Sequence, residues 1–270
     1  MKDSEDLKEV NIRQKEFYNS KKKNRITKLW YALRNGALQD ARKNLGLERQ
    51  IKGLHLSWFG DLSNKKVLDL GCYAGNSLSM HLAANAKEYV AIDLSELGIS
   101  RLRRKLDQLP SKNTKALTID FFSDEFTDAN FDLIYAFGVL HHFRNTEKLI
   151  ERLKEKLTKN GEIISYDPLK TSFPIKIARG IYRPFQSDKD WEWPFSRDTY
   201  ESYNKHFRIK DRRAILGRAK YFFLIKLLPF SNLKKDKILR KWHKSDWDKS
   251  RTDDAKMFGC MHLTLWMQTR

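Results

Sequence analysis

Cysteine is almost missing from this chain. Cys72 and Cys260 are the only two in 270 residues, too few for a disulfide framework, so the small cross-linked secreted folds are excluded and a reducing, cytoplasmic setting fits best. Long apolar runs are missing as well. The best candidate, YFFLIKLLPF from Tyr221 to Phe230, is interrupted by Lys226 and is half of the roughly 20 residues a membrane-spanning helix needs. The opening MKDSEDLKEV is charged and has no apolar centre, so it does not read as a signal peptide. Metal-ligand spacing is also absent. His141 and His142 are adjacent and diverge on a helix or strand, and no further Cys or His stands where a zinc site would need it. No metal is therefore expected. There is no internal repeat and no low-complexity tract.

Acidic residues are scarce in the flanks but not in the middle. Residues 1–66 hold 16 Lys and Arg against 8 Asp and Glu, residues 67–168 hold 13 against 15, and residues 169–270 hold 24 against 11. The net charge of +19 thus belongs to the two ends. Basic surface attracts phosphates, nucleic acid or anionic headgroups. It can equally be a soluble face without a partner.

What is present is alternation. From Lys66 onward, VLDL, YVAIDL, KALTID, FDLIYAF and EIISYD are apolar runs of strand length. Helical stretches over 76–86, 95–108 and 145–158 separate them. Strands alternating with helices make βαβ units and a mostly parallel sheet with helices on both faces. In the third helix Asn145 suits the N-cap, and Leu149, Ile150, Leu153 and Leu157 make the buried stripe. Gly161 follows as the expected stop. Residues 1–60 read as helical, with Leu29, Leu33, Leu38 and Leu45 at helical spacing and Gly36 and Gly46 as breaks. Beyond Asp167 the alternation loosens. Four of the six prolines fall in 168–200, among Tyr182, Phe185, Trp191, Trp193 and Phe195, which reads as an ordered insertion. KHFRIKDRR and CMHLTLWMQ supply two last strands. The expected domains are an N-terminal helical cap (1–60), a Rossmann-like core (61–168), and an acceptor-binding region completing the sheet (169–270).

The chemistry concentrates in KKVLDLGCYAGNSLSMHL, Lys65–Leu82. A buried strand ends in Asp69, Gly71 and Gly75, and a helix begins. Glycines at such a turn let backbone approach a ligand closely. In open α/β sheets, ligands lie beyond the carboxyl ends of the strands, where this turn falls. Asp93 ends the second strand, where a carboxylate can accept ribose hydroxyls. Asp120 ends the third. A capping role is the plain alternative for Asp69, and a solvated loop position for Asp120.

VLDLGCYAGN resembles the DxGCGxG loop that opens class I S-adenosylmethionine-dependent methyltransferases. AIDLS resembles their second motif and IDFF their acidic adenine-side motif. FDLIYAFGVLHHF followed by LKEKLTKNGEIISYDP is similar to the strand–helix–strand that completes their core. The resemblance covers about residues 60–168, and Tyr73 departs from it by replacing the usual middle glycine. It implies S-adenosyl-L-methionine as cofactor, with Asp69 and Gly71 facing its methionine part and Tyr73 and Gly75 completing the loop. Asp93 would hold the ribose, with Leu94 beside the adenine. Asp120 would accept from the adenine amino group with Phe121 against the ring, and Phe137 would border the sulfonium. No Asp/Asn-Pro-Pro-Tyr motif follows the fourth strand, which weighs against methylation of amides or exocyclic base nitrogens.

His141, His142 and Tyr166 are the candidate bases for a hydroxyl acceptor, each with a packing role as the plain alternative. Asp167 lies on the same edge as Tyr166. The expected function is methyl transfer to a small or medium-sized acceptor, with anionic and lipid- or sugar-linked molecules among the candidates. An RNA methyltransferase is the alternative, with nucleic acid disfavoured but not excluded. A non-catalytic scaffold is the other, against which the acids Asp69, Asp93 and Asp120 speak. Oligomeric state is not specified by any pattern. Residues 1–60 and 169–200 are expected to close over the acceptor as a lid.

Overall fold

The computed structural model describes residues 36, 38–110, 113–172, 177, 180 and 192–270. A single sheet of seven strands organises them: β1 (Lys66–Leu70), β2 (Glu88–Asp93), β3 (Thr114–Thr118), β4 (Phe131–Phe137), β5 (Leu157–Pro168), β6 (Phe207–Ile215) and β7 (His262–Thr269). Their order is β3-β2-β1-β4-β5-β7-β6. The first five pair in parallel, and β7 runs antiparallel between β5 and β6. The order reverses between β1 and β4, so the crevice that such sheets offer to ligands opens at their carboxyl ends.

The helices that link these strands follow the expected stretches. After α1 (Leu47–Phe59) come α2 (Ser77–Asn85), α3 (Glu96–Leu106) and α4 (Thr146–Lys156). Each of these three is capped by its own sequence: Asn76 accepts from Leu78 and Ser79, Ser95 from Gly98, and Asn145 from Lys148. Such caps satisfy backbone donors that the first turn leaves open. The C-terminal part adds α5 (Arg197–His206), a short α6 (Phe222–Lys226), α7 (Asn232–Lys249) and α8 (Asp254–Phe258). Among the described residues no helix is long and apolar enough to cross a membrane.

Strand alternation sends the core to both faces. On one face Val67, Tyr89, Ala91, Leu133, Tyr135 and Ile164 meet Trp58 and Phe59 of α1, Leu78 and Leu82 of α2, and Ile99 and Leu102 of α3. On the other, Leu68, Val90, Ile134 and Ile163 meet Leu149, Ile150 and Leu153 of α4 and Tyr200 and Tyr203 of α5. A third cluster joins Leu38 and Ala41, from the helical residues 38–45, to Ile215, Leu216, Phe222 and Leu239. Gly46, with φ of 60°, makes the bend between residues 38–45 and α1.

Gly161 plays a different part from the helix stop expected of it. Helix α4 ends at Lys156, where Leu157 is already extended. Gly161 lies inside β5, beside the register shift against β4, and a Cβ there would stand 3.0 Å from the Phe131 carbonyl oxygen. Close backbone approach, not chain reversal, selects glycine. The first expected helix and most of the proline-marked insertion lie outside the described residues.

Candidate functional site

The loop between β1 and α2 is shaped by three left-handed residues, Gly71, Tyr73 and Gly75, with φ of 67°, 45° and 66°. Gly71 can be nothing larger. Its N–H donates to the Ile92 carbonyl at 2.9 Å, and a Cβ would sit 2.3 Å from Val139 Cγ2. At Gly75 a Cβ would meet Leu102 at 2.7 Å.

Tyr73 keeps the conformation that glycine adopts readily, at a cost of roughly 1–2 kcal/mol for a side chain in that region. Two contacts hold it. Its N–H donates to Asp93 Oδ2 at 2.8 Å, and its ring turns onto α3, where a Cβ on Gly98 would approach its Cδ2 to 2.7 Å. The ring therefore faces the helix, and the backbone makes the contribution to the loop. Gly98 was the overlooked sequence signal: an interior helix glycine marks a close neighbour.

Two carboxyls lie beneath and beside this loop. Asp69 is 2% exposed and accepts from Tyr89 Oη at 2.7 Å. Burial pushes its pKa up to about 6, against the lowering effect of Ser79 and Tyr89. Asp93 accepts from the Tyr73 and Ser95 N–H groups, one on each oxygen. Its pKa is also raised by burial, with those backbone donors opposing. With the Leu94 N–H also acting on it, the Asp93 carboxylate still keeps acceptor capacity for a ligand hydroxyl. Both acids are held above their ordinary range by desolvation, so a cation placed beside them would restore their charged forms.

The remaining predicted residues divide. Leu94 and Asp120 are half-buried at the same carboxyl edge, and Asp120 Oδ1 accepts from the Phe122 N–H at 2.9 Å. Phe121 points the other way. It is buried against Phe122, Phe126 and Phe143, and Phe122 is the half-exposed ring of the two. Phe137 ends β4 at 37% exposure. Next to it Gly138, at φ of 74°, has no atom of the described residues within 4 Å of where a Cβ would be. Among the described residues the edge is open there.

Phe137 belongs to a file of rings that sequence reading did not foresee. Tyr166 stacks on it at 4.7 Å and His262 on Tyr166 at 5.3 Å. On its other side His55 of α1 meets it edge-on at 6.0 Å, and Trp58 and Trp266 continue the file. His55 is fully buried, and desolvation lowers its pKa to about 3. Its Nε2 lies 2.7 Å from Thr264 Oγ1, whose own proton goes to the Ser165 carbonyl. Nε2 is therefore the donor, and the neutral ring leaves Nδ1 to face Tyr135 Oη at 3.4 Å. Nothing in the local sequence marks His55, because its partners lie 80 and 209 residues away.

His141 and His142 form a short 3-10 turn after β4, with ring centroids 4.1 Å apart. His141 is 7% exposed, and both its backbone N–H and its Nδ1 face Asp167 Oδ1, at 3.2 and 2.9 Å. Asp167 is fully buried and its pKa is pushed up to about 7 by desolvation, with the His141 N–H and the His142 charge opposing. His142 is the more exposed imidazole of the pair. Burial drives the Tyr166 phenol well above its ordinary pKa, so its phenolate is scarce near neutral pH. The Trp193 N–H donates to the His141 carbonyl at 2.7 Å, tying the far end of the insertion to this turn.

Residues 68–163 match a family described as a methyltransferase domain. Among curated proteins, a tRNA U34 carboxymethyltransferase of Pseudoalteromonas atlantica is 30% identical over 104 residues, 38% of this chain and 32% of that protein. The chain spans less than half the length of the curated relatives it matches. Among solved structures, the N-methyltransferase NodS of Bradyrhizobium japonicum, crystallised with S-adenosyl-L-homocysteine, superposes with a TM-score of 0.51 at 15% identity, over 82% of this chain and 86% of that one. A cyclopropane synthase of Mycobacterium tuberculosis gives 0.56 at 15% identity, over 82% and 84%. Strand order, the left-handed loop and the domain match agree: residues 68–163 match a methyltransferase domain, and the chain has the fold of these solved structures.

Proposed function

We propose that the protein transfers a methyl group from S-adenosyl-L-methionine to a small or medium-sized acceptor seated against Phe137, Tyr166 and His262. One observation carries the reading. The open, ring-lined edge at Phe137 and Gly138 adjoins a loop whose backbone is held to Asp93. The residues fit the cofactor. Asp93 offers lone pairs to ribose hydroxyls, Asp120 offers an acceptor to the adenine amino group, and the raised carboxyls of Asp69 and Asp93 favour a cationic ligand. When bound, the cofactor supplies an electrophilic methyl on its sulfonium.

The chain's own residues would position and dehydrate. Phe137 presents an apolar face to the transferring carbon, and the rings of Tyr166 and His262 order the acceptor beside it. Such placement can supply roughly 7–11 kcal/mol without a covalent intermediate. For a hydroxyl acceptor, the proton passes to His142, the more exposed imidazole, while Asp167 fixes His141 beneath it. Residues 61–168 then hold the cofactor and lend Phe137, His142 and Tyr166 to the acceptor, whose seat is completed by residues 1–60 and 169–270. The lid assigned to 1–60 and 169–200 lies largely outside the described residues.

A second reading is RNA methylation. The curated relative, named for carboxymethyl transfer to tRNA, favours an RNA acceptor, and so do the basic flanks. Both readings meet in one experiment. Calorimetry with S-adenosyl-L-methionine comes first, and a wild-type protein that does not bind refutes both. Methyl-labelled cofactor is then incubated with protein and cell extract. Label in the lipid or small-molecule fraction supports the first reading. Label in an RNase-sensitive fraction supports the second.

A further inference from the structure

Five of the nine exposed large apolar side chains among the described residues fall within residues 223–233: Phe223, Leu224, Leu227, Leu228 and Leu233. Exposed leucines scattered singly need no explanation, but a contiguous group does. Leu227 is 80% exposed and Leu233 is 83% exposed, values of side chains that project. Their base is firm. Phe222 and Leu239 are buried in the cluster that holds Leu38 and Ala41, Lys226 pairs with Asp40, and Lys235 Nζ donates to the Lys226 carbonyl at 2.9 Å. The tip between α6 and α7 is thus an apolar prominence on an anchored support.

Its rim is cationic. Residues 218–244 contain nine Lys and Arg and one acid, Asp236, which is taken by Arg240. Lys234 lies over the Phe230 ring, and Lys234, Lys237 and Lys241 are exposed. Apolar side chains surrounded by lysines match the two layers of an anionic bilayer surface, with acyl chains below and phosphates above. A second copy of this chain would bring the same positive rim against itself, and projecting leucines offer no stacking plane to RNA bases.

Topology adds an orientation. β6 runs parallel to β5, and Ile215 and Pro168 both face His262 across β7. The segment after Ile215 therefore leaves the sheet at the same edge as Phe137, Tyr166 and His262. We propose that residues 223–233, with the lysines beside them, form a docking surface for anionic lipid membranes that turns the catalytic edge toward the bilayer. The docking goes beyond the methyl-transfer reading and does not require it.

The test is co-sedimentation of the full chain with phosphatidylcholine vesicles, with and without phosphatidylglycerol. The wild type is expected to bind the anionic vesicles, less so as salt is raised. Leu227→Glu/Leu233→Glu and Lys234→Glu/Lys237→Glu/Lys241→Glu should each lower partitioning by about tenfold or more. Cofactor affinity by calorimetry should be unchanged in both, which shows that they fold and separates this idea from the methyl-transfer reading. No binding of the wild type to anionic vesicles overturns the proposal. So does full retention of binding by the leucine variant, which would reduce the attraction to charge. A concentration-dependent dimer, or an RNA complex, that the leucine substitutions abolish would also overturn it.

Discussion

The two halves of the carboxyl edge are built in different ways. On the side proposed for the cofactor, Asp69, Gly71, Tyr73, Gly75 and Asp93 come from two neighbouring strands and one loop, and most of their bonds are donated by backbone N–H groups, to the Asp93 carboxylate or to backbone carbonyls. On the side proposed for the acceptor, Phe137, His141, Tyr166, Asp167, His262 and His55 come from β4 and the turn after it, β5, β7 and α1, joined by ring stacking and one buried His–Asp contact. The first is a backbone device that tolerates little change. The second is a side-chain assembly that can be re-shaped one residue at a time, which suits the part of an enzyme that must match its own substrate.

Glycine replacement should separate the halves most. Gly71→Ala combines a left-handed φ with a 2.3 Å clash on Val139, and strain plus overpacking predicts a stability loss of about 3–4 kcal/mol. Gly138→Ala has a similar φ but open space, so about 1 kcal/mol is expected. Chemical denaturation measures both, and equal losses would erase the contrast.

Function should divide along the same line. Asp93→Ala should weaken cofactor affinity by about 1.5–3 kcal/mol, the worth of hydrogen bonds to a charged group. For a hydroxyl acceptor, His142→Ala should leave that affinity within about twofold and lower turnover roughly a hundredfold, as for loss of a general base. Calorimetry and initial rates on both variants complete the cross. A histidine variant that loses affinity would place His142 on the cofactor side.

The pH dependence of cofactor binding follows from Asp69. Its pKa stands near 6 in the free protein, and a cationic ligand lowers it by favouring the carboxylate. Binding therefore releases a proton, and affinity falls as pH drops below about 6, approaching roughly tenfold per pH unit until the carboxyl of the complex is protonated too. Calorimetry between neutral and acidic pH should show the decline, and Asp69→Asn should weaken it, leaving the part that the raised Asp93 carboxyl carries. In the free protein the sign is opposite. A carboxyl raised above its unfolded value contributes stability below that value, and loses it as pH rises through 6. Least affected should be Tyr166→Phe. The ring stack survives and the raised phenol has no phenolate to lose, so turnover should stay within about threefold of wild type. A larger drop would make the Tyr166 hydroxyl part of the chemistry.

The strands, the helices and the cofactor-side loop were legible because each is local. Asn76, Ser95 and Asn145 cap the helices they precede, and the apolar runs became strands where their period required. Local pattern misled where one residue type serves two geometries. Gly161 looks like a helix stop and is a close-approach glycine in a strand. Phe121 and Phe122 are equivalent in sequence, and only the turn after β3 decides which ring enters the core.

By itself the sequence determined a parallel α/β sheet with a glycine loop and acids at its strand ends, since hydrophobic period, caps and turn residues act over a few positions. The tertiary structure alone decided the rest: the ring file from Trp266 through His55 to His262, the neutral state of His55, the turning of Tyr73 onto Gly98, and the clamp of Asp167 on His141. Each depends on contacts between residues far apart in the chain, and on desolvation that exists only once both sheet faces are covered.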